Sequence, residues 1–332
     1  VTEIAKLISA EFNGQPLTVV GVLTGALIFV SDLVRHLNLP VRICFVRASS
    51  YRGETTVPGD LNIDSSMLPD IQATKDTRGI DIDQVGVSDL RYPIQVTDRH
   101  GKPFPTVATI SMSVHLPHHF KGTHMSRFIE VLSKHEGEVT SRTLPDILHD
   151  LRERLHAEEA HIEVAFTYFV TKKAPVSGAE AKVGCDCVLI GKSSSGADDL
   201  TLRVTVPVTT LCPCSKEISD YGAHNQRGNV TIEVRPKRKG SGCELILIED
   251  LVDIAEKSGS APVYALLKRT DERHVTMQAY DNPVFVEDVV RNAAALLRAD
   301  ARIDSFSVRA VNQESIHDHN AFAVISGKSA KA

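Results

Sequence analysis

The densest group of side chains able to do chemistry lies between Thr209 and Arg227, in the sequence TTLCPCSKEISDYGAHNQR. Cys212 and Cys214 flank a proline there, and His224 follows in the same stretch. A thiolate and an imidazole are common ligands of zinc and similar ions. Free cysteines are commonly core residues, so the pattern in isolation favours two small buried side chains. The spacing by itself indicates a metal site only weakly.

Carboxylates and imidazoles recur downstream, at Glu272, Glu287, Glu314, His317 and His319. Glu287 lies near the start of a predicted helix, where the helix dipole favours a carboxylate whatever its function. His317 and His319 alternate, so a strand would place both on one face; the alternative is an exposed polar edge. These residues become candidate ligands or acid–base groups only in combination with the first cluster.

A third cluster is the basic segment KGTHMSRFIE, in which Lys121, His124 and Arg127 enter a predicted helix. Backbone N–H groups and cations can converge on phosphate oxygens at a helix start. The alternative is an ordinary solvated helix start. The segment is therefore a candidate anion site.

Composition limits the classes of protein that this chain can belong to. Its 332 residues suggest about two domain-sized units, and 42% hydrophobic with 24% charged residues is ordinary globular usage. A net charge of −5 argues against a nucleic-acid partner, but a few clustered cations still suffice for a triphosphate. No apolar run is long enough for a membrane span and no leader is visible, so we expect a cytoplasmic protein whose cysteines are thiols or ligands.

Hydrophobic periodicity predicts the elements that position these clusters. The chain begins with a βαβ pattern: a helix over 2–12, a strand over 17–22, a helix over 26–37 and a strand over 41–47. Residues 49–70 are rich in Ser, Gly, Pro, Thr and Asp, which indicates a linker. Beyond it the pattern predicts strands at 85–96, 106–116, 161–170, 183–192, 200–210, 229–236, 303–311 and 321–325, and helices at 123–135, 143–157, 247–257 and 283–298. The predicted class is α+β, with two similar halves.

Taken together, several segments resemble the type IB GTP cyclohydrolase family. They are LPDIQATKDTRGIDIDQVGVSDLRYPI, KGTHMSRFIE, TTLCPCSKEISDYGAHNQRG, APVYALLKRTDERHVT, DNPVFVEDVVRN and NQESIHDHNAF, and they cover roughly residues 66–327. The resemblance implies a tunnelling fold, in which tandem ββαα-type units form a barrel on oligomerisation. It also implies a homotetramer with active sites at subunit interfaces.

The resemblance implies a role for each candidate residue in opening the guanine ring of GTP to give 7,8-dihydroneopterin triphosphate and formate, the first step of tetrahydrofolate biosynthesis. The implied metal is zinc or manganese. Glu287 would anchor the guanine edge, and Cys214, Glu314 and His124 would lie near the reacting base. The implied metal ligands are Cys212, His224, Glu272 and, conditionally, His317. The implied triphosphate ligands are Lys121, Arg127, Arg227, Lys268 and Arg269.

The N-terminal segment, residues 1 to about 56, resembles instead the start of a hypoxanthine phosphoribosyltransferase. In that family the LTGA turn, Leu23 to Ala26, would touch pyrophosphate, and Ser50 and Tyr51 would begin a mobile loop. The acidic strand and Thr-Gly loop that grip phosphoribosyl pyrophosphate do not follow, so we expect no transferase activity. The expected domains are therefore 1–58, a truncated transferase-like segment and linker, and 59–332, the cyclohydrolase domain.

Two other functions are compatible with parts of this pattern. A nitrile reductase of queuosine synthesis shares the tunnelling fold but uses a cysteine nucleophile and a nicotinamide cofactor, and needs no metal. A non-catalytic purine- or pterin-binding protein would keep Glu287 and the basic residues but would not need Cys212 and His224. The presence of all the candidate ligands favours the cyclohydrolase.

Overall fold

The computed structural model describes residues 1–23, 25–49, 62–64, 72, 74–135, 137–194, 197–239 and 242–329. The chain divides into a first unit, Val1–Thr74, and a second unit, Lys75–Ala332. The domain boundary expected at 58/59 lies outside the described residues, as do Ser50, Tyr51 and one residue of the LTGA turn.

The first unit is a short βαβ arrangement. Its elements are α1 (Thr2–Phe12), β1 (Leu17–Leu23), α2 (Leu27–His36), β2 (Val41–Ser49) and β3 (Asn62–Asp64). Strands β1 and β2 pair in parallel across the α2 crossover, and β3 pairs antiparallel with β2. The predicted helices and strands of this segment are confirmed to within two residues at each end.

The second unit is built on one large antiparallel sheet. Its elements are β4 (Ile82–Thr97), β5 (Pro103–Leu116), α3 (Met125–Lys134), α4 (Leu144–Leu155), β6 (Ala160–Lys173), β7 (Glu180–Ser194), β8 (Ala197–Leu211), α5 (Pro213–Ile218), β9 (Asn225–Pro236), β10 (Arg238–Lys239), β11 (Gly242–Cys243), α6 (Ile248–Ser258), β12 (Ala261–Pro262), α7 (Arg269–Asp281), α8 (Val286–Ala299), β13 (Ile303–Asn312) and β14 (Ala321–Lys328). The strand order is β14-β13-β9-β8-β7-β6-β5-β4, and β12 pairs with β8 off this path. This arrangement confirms the mixed α+β class.

Alternation along the strands turns one face of the sheet into the core. In β5, for example, Ala108, Ile110, Met112 and Val114 are buried, while the residues between them are more exposed. Helices α3 and α4 contact β4 to β7 on the first half of the sheet, and α6 and α8 contact β8, β9, β13 and β14 on the second. Each half therefore runs as two strands, a helical connection and two strands, which is the repeated order that the sequence predicted.

Helix α4 shows how closely the helical layer approaches the sheet. Leu144, Ile147, Leu148 and Leu151 on it are all buried, and each such side chain contributes about 1.5–3 kcal/mol through burial. Gly191 in β7 lies directly beneath them, because a Cβ there would come within 2.7 Å of a Leu148 methyl carbon. A larger residue at this position would push the helix off the sheet.

The predicted elements omit α7, a helix of 13 residues in which only Asp271 and Ala279 are buried, so no apolar stripe marks it. The short elements α5, β10, β11 and β12 were not predicted either. Of the two alternatives for His317 and His319, the structure has the exposed polar segment, because both residues are exposed and residues 315–319 form consecutive bends. In the described part of the chain, no helix is long and apolar enough to cross a membrane.

Candidate active site

The Cys212–His224 hairpin forms where β8 ends and β9 begins. The Cys212 N–H donates to the His224 carbonyl oxygen over 3.1 Å. Ser215 closes the loop, because its hydroxyl donates to the Cys212 carbonyl (3.2 Å) and accepts from the His224 N–H (3.2 Å). The Cys212 thiol sulfur is the N-cap of α5 and accepts from the Ser215 N–H over 3.4 Å. The backbones of Cys212 and His224 are thus held together directly and through Ser215.

The His224 ring is oriented by two further side chains. Its Nδ1 lies 2.9 Å from Oε1 of Gln226 and 3.4 Å from the Ser315 hydroxyl oxygen. Gln226 is buried in β9, opposite Thr210 of β8. With the amide oxygen as acceptor, Nδ1 carries the proton and Nε2 keeps its lone pair for another partner. Neither Gln226 nor Ser315 was among the predicted site residues.

Two predicted carboxylates belong to segments that are tied to this hairpin. The Val284 N–H donates to the Leu211 carbonyl over 3.1 Å, which fixes the start of α8 beside the end of β8. Glu287 is exposed in the first turn of that helix, as predicted. The Gln313 N–H donates to the Arg227 carbonyl over 2.9 Å, so Glu314 follows directly after a contact with β9.

Helix α7 carries Glu272 and is anchored by its buried neighbour Asp271. The Asp271 carboxylate accepts from the Val176 and Ser177 N–H groups (2.8 Å each), from the Ser177 hydroxyl (2.6 Å) and from the Lys268 N–H (2.8 Å). Burial raises the pKa of this carboxyl, but these donors outweigh it and hold the pKa well below its usual range. Sequence reasoning missed Asp271, although an Asp three residues after a helix cap is a helix-start signal.

The predicted four-ligand metal set is only partly gathered in one chain. Cys212 and His224 lie in one hairpin, and the exposed rings of His317 and His319 stack with their centroids 5.2 Å apart. Across the described residues, no three His, Cys, Asp or Glu side chains converge closely enough to hold a metal ion. The donor types suit a divalent ion, but of the four predicted ligands only Cys212 and His224 lie in one hairpin. All six cysteines are described, and all are free thiols, with Cys214 exposed.

The predicted anion ligands fall into two groups on the sheet. Arg227 pairs with Thr209 beside the hairpin, and Lys268 and Arg269 begin α7, which contacts β8. Lys121, His124 and Arg127 instead lie before and within α3, which contacts β4, and the Arg127 guanidinium donates to the Arg154 carbonyl over 3.0 Å. Four strand spacings separate β4 from β8, a distance of about 19 Å. Along the sheet the α3 group therefore lies four strands away from the hairpin.

Comparison with known proteins places this site within a family. Residues 68–323 match the family model described as "Type I GTP cyclohydrolase folE2", and residues 1–80 match a "Phosphoribosyl transferase domain". The GTP cyclohydrolase FolE2 of Nitrosococcus oceani is 50% identical over 258 residues, covering 78% of this chain and 94% of that protein. The corresponding protein of Geobacter sulfurreducens is 49% identical over 265 residues, covering 80% and 100%.

Solved structures give weaker matches. Uricase from Arthrobacter globiformis aligns over 75% of this chain and 94% of its own, at 8% identity and a TM-score of 0.46. A hypoxanthine-guanine phosphoribosyltransferase from Bacillus anthracis aligns over 23% of this chain and 43% of its own, at 34% identity and a TM-score of 0.17. Because the sequence matches cover most of the chain at about half identity, the chain belongs to the type I GTP cyclohydrolase family folE2.

Proposed function

We propose that this chain is a cytoplasmic GTP cyclohydrolase that converts GTP to 7,8-dihydroneopterin triphosphate and formate, the first step of tetrahydrofolate biosynthesis. The observation that carries the proposal is the Cys212–His224 hairpin inside the family match, in which Ser215 joins the backbones of a cysteine and a histidine. The names of the relatives, at about 50% identity over nearly their full lengths, support GTP as substrate.

Glu287 would recognise the guanine base. Guanine offers N1–H and its exocyclic amine as adjacent donors, and one carboxylate can accept both as a bidentate pair. The side chain is exposed in the first turn of α8, beside the end of β8, so a ligand can reach it. Proton delivery to the imidazole nitrogens of the base would come from His124 or Glu314, with Cys214 also near the reacting ring.

Cys212, His224, Glu272 and His317 would hold a divalent ion, zinc or manganese. When bound, such an ion lowers the pKa of a water ligand to about 7 and so supplies hydroxide for attack at C8. The mixed thiolate, imidazole and carboxylate donors suit zinc, and the carboxylate also accommodates manganese. Completing the set requires Glu272 and His317 to approach the hairpin.

The triphosphate would bind Lys121, Arg127, Arg227, Lys268 and Arg269. Because α3 contacts β4, which lies four strands away from β8 in the sheet, a second subunit would supply the α3 group. Strands β4 and β14 end the sheet path, so their outer backbone edges could pair with other copies, except at Gln95 of β4, whose N–H donates to the Gly137 carbonyl over 3.0 Å. A tunnelling-fold homotetramer, with barrels closed by such pairing and interfacial active sites, meets both requirements.

The N-terminal segment would take no part in this chemistry. We propose that residues 1–58 are a truncated phosphoribosyltransferase-like segment and linker, and that 59–332 form the cyclohydrolase domain. The segment has a parallel βαβ start but is too short to contain the phosphoribosyl-binding loop of a complete transferase. No phosphoribosyl transfer is expected.

The test is GTP turnover by the purified chain, followed by formate release and pterin fluorescence after oxidation, before and after chelation and with zinc or manganese restored. We expect turnover to vanish on chelation and to return with metal. Cys212→Ala should abolish it, while the matched variant Cys243→Ala, in a half-buried thiol outside the site, retains it. Turnover that survives chelation, or full activity of Cys212→Ala, would contradict the proposal.

A further inference from the structure

A cavity of about 340 Å³ opens where the two helical layers meet on the core face of the sheet. Its floor is formed by Phe166 of β6, Leu189 of β7 and Leu202 of β8. Its walls are the end of β4, the loop 138–142 between α3 and α4, and the segment 245–249 that leads into α6. Volume and lining are those of a small-molecule site, mainly apolar with a few polar groups at the rim.

This cavity is separate from the Cys212–His224 hairpin. Leu202 and Leu211 are nine residues apart on the same strand, β8, which corresponds to about 30 Å of extended chain. The hairpin follows Leu211, whereas the cavity lies at Leu202. A ligand in the cavity therefore could not touch the hairpin.

Three of the charged residues around the cavity are already engaged within the protein. Asp98 accepts from the His100 and Lys102 N–H groups, each over 2.9 Å. Glu249 accepts from the Arg99 N–H over 2.8 Å and from the buried Tyr168 hydroxyl. The Arg99 guanidinium pairs with Asp253 at 3.0 Å. These groups form a fixed wall and have little capacity left for a ligand.

The other two charged residues at the rim, Glu138 and Arg142, are exposed, and their side chains have no hydrogen-bond or ion-pair partner among the described residues. They lie on one loop whose shape is set internally. The Thr143 hydroxyl donates to the Glu138 carbonyl over 2.7 Å and accepts from the Thr140 N–H over 2.9 Å. The rim thus presents one carboxylate and one guanidinium that form no ion pair with each other.

We infer that this cavity binds a small zwitterion with an apolar body, of the class of free α-amino acids with aromatic side chains. The apolar part lies on Phe166, Leu189 and Leu202. The carboxylate pairs with Arg142 and the ammonium with Glu138, so both rim charges are satisfied by one ligand. A ligand with only one charge would leave the opposite rim residue unpaired.

The chain contains no tryptophan, so the fluorescence of an indole ligand reports its binding without protein tryptophan background. The probes are L-tryptophan, indole-3-propionate, which keeps only the carboxylate, and tryptamine, which keeps only the ammonium. We expect saturable binding of L-tryptophan, at least about tenfold tighter than either single-charge probe, because each loses a charge-assisted contact.

Two rim variants locate the site. Arg142→Gln should weaken L-tryptophan and indole-3-propionate by about tenfold or more and leave tryptamine unchanged, while Glu138→Gln should weaken L-tryptophan and tryptamine and leave indole-3-propionate unchanged. Both side chains are exposed, so neither change should unfold the protein. Arg35→Gln, which removes an exposed cation of the first unit, is the matched control. The inference would be overturned by the absence of saturable binding or by equal affinity for the three probes. It would also be overturned if Arg142→Gln did not selectively weaken the probes that carry a carboxylate, or if Glu138→Gln did not selectively weaken those that carry an ammonium group.

Discussion

At the scale of single residues, the orientation of His224 depends on a buried amide. Gln226 is held in β9 with its Oε1 2.9 Å from Nδ1, which leaves Nε2 as the free nitrogen. Residues that fix the second nitrogen of a metal-binding histidine commonly affect metal affinity although they do not touch the ion. Ser315 approaches the same nitrogen at 3.4 Å and is the weaker partner.

Replacing Gln226 with Leu should weaken metal binding by about 10- to 100-fold, because the ring loses the acceptor that sets its tautomer. The measurement is competition for zinc against a chromophoric chelator, which does not require turnover. Gln226→Glu keeps an acceptor oxygen at the same place and should retain most of the affinity. Equal zinc affinity in the wild type and in Gln226→Leu would show that the amide does not act through His224.

Residue type and spacing indicated Cys212 and His224 only weakly, and the resemblance to the family gave them a role as predicted metal ligands. They did not identify Gln226, Ser215 or Ser315. Gln and Ser occur throughout strands and turns, and only the pairing of β8 with β9 and the position of residue 315 make them neighbours of the histidine. Long-range contacts of this kind leave no local pattern.

At the scale of elements, α7 illustrates a helix that is positioned by one polar residue. Helices with an apolar stripe, such as α4 and α8, were predicted from their periodicity. Helix α7 buries only Asp271 and Ala279, and its first turn is held by the four donors to the Asp271 carboxylate. The position of Glu272, the next residue, therefore depends on hydrogen bonds rather than on hydrophobic packing.

Asp271→Asn should lower the urea midpoint of unfolding at neutral pH, since an amide cannot accept from all of these donors. The folded-state pKa of Asp271 is depressed, so its contribution to stability is present above the unfolded value of 3.8 and is lost as the pH falls below it. The difference in urea midpoint between Asp271→Asn and the wild type should consequently become smaller from pH 7 toward about pH 3. Asp281→Asn, which changes an exposed residue at the other end of α7, serves as the control. A difference in urea midpoint that does not depend on pH would contradict the stabilising role of the ionised Asp271 carboxylate.

At the scale of the whole molecule, the hydrophobic core of the sheet is formed entirely within the second unit. Its buried residues run from Ile94 to Ala310 in one cluster. The first unit has its own small core, which includes Ala5, Val30 and Leu33. The two family matches divide the chain in a similar way, although they overlap between residues 68 and 80.

A chain reduced to residues 66–332 should therefore keep GTP turnover per site within about twofold of the full chain and unfold cooperatively, because no part of the main core is removed. Formate release and thermal unfolding followed by circular dichroism are the measurements. The full-length chain, assayed in parallel with hypoxanthine and phosphoribosyl pyrophosphate, should form no nucleotide. Loss of turnover in the shortened chain would show that the N-terminal segment supports the assembly.

The order of strands in the sheet also has a consequence for synthesis on the ribosome. From β4 to β9 each strand pairs with the strand made immediately before it. The pairs β4–β5, β6–β7 and β7–β8 are joined by short connections and can close as they emerge with little loop entropy to overcome, whereas β6 pairs with β5 only after α3 and α4 have been made. Strand β13 is made later still relative to its partner, because α6, α7 and α8 separate it from β9. During that interval the apolar residues of β9 and its unpaired edge are exposed, and this is the stage at which a nascent chain is most prone to pair with another.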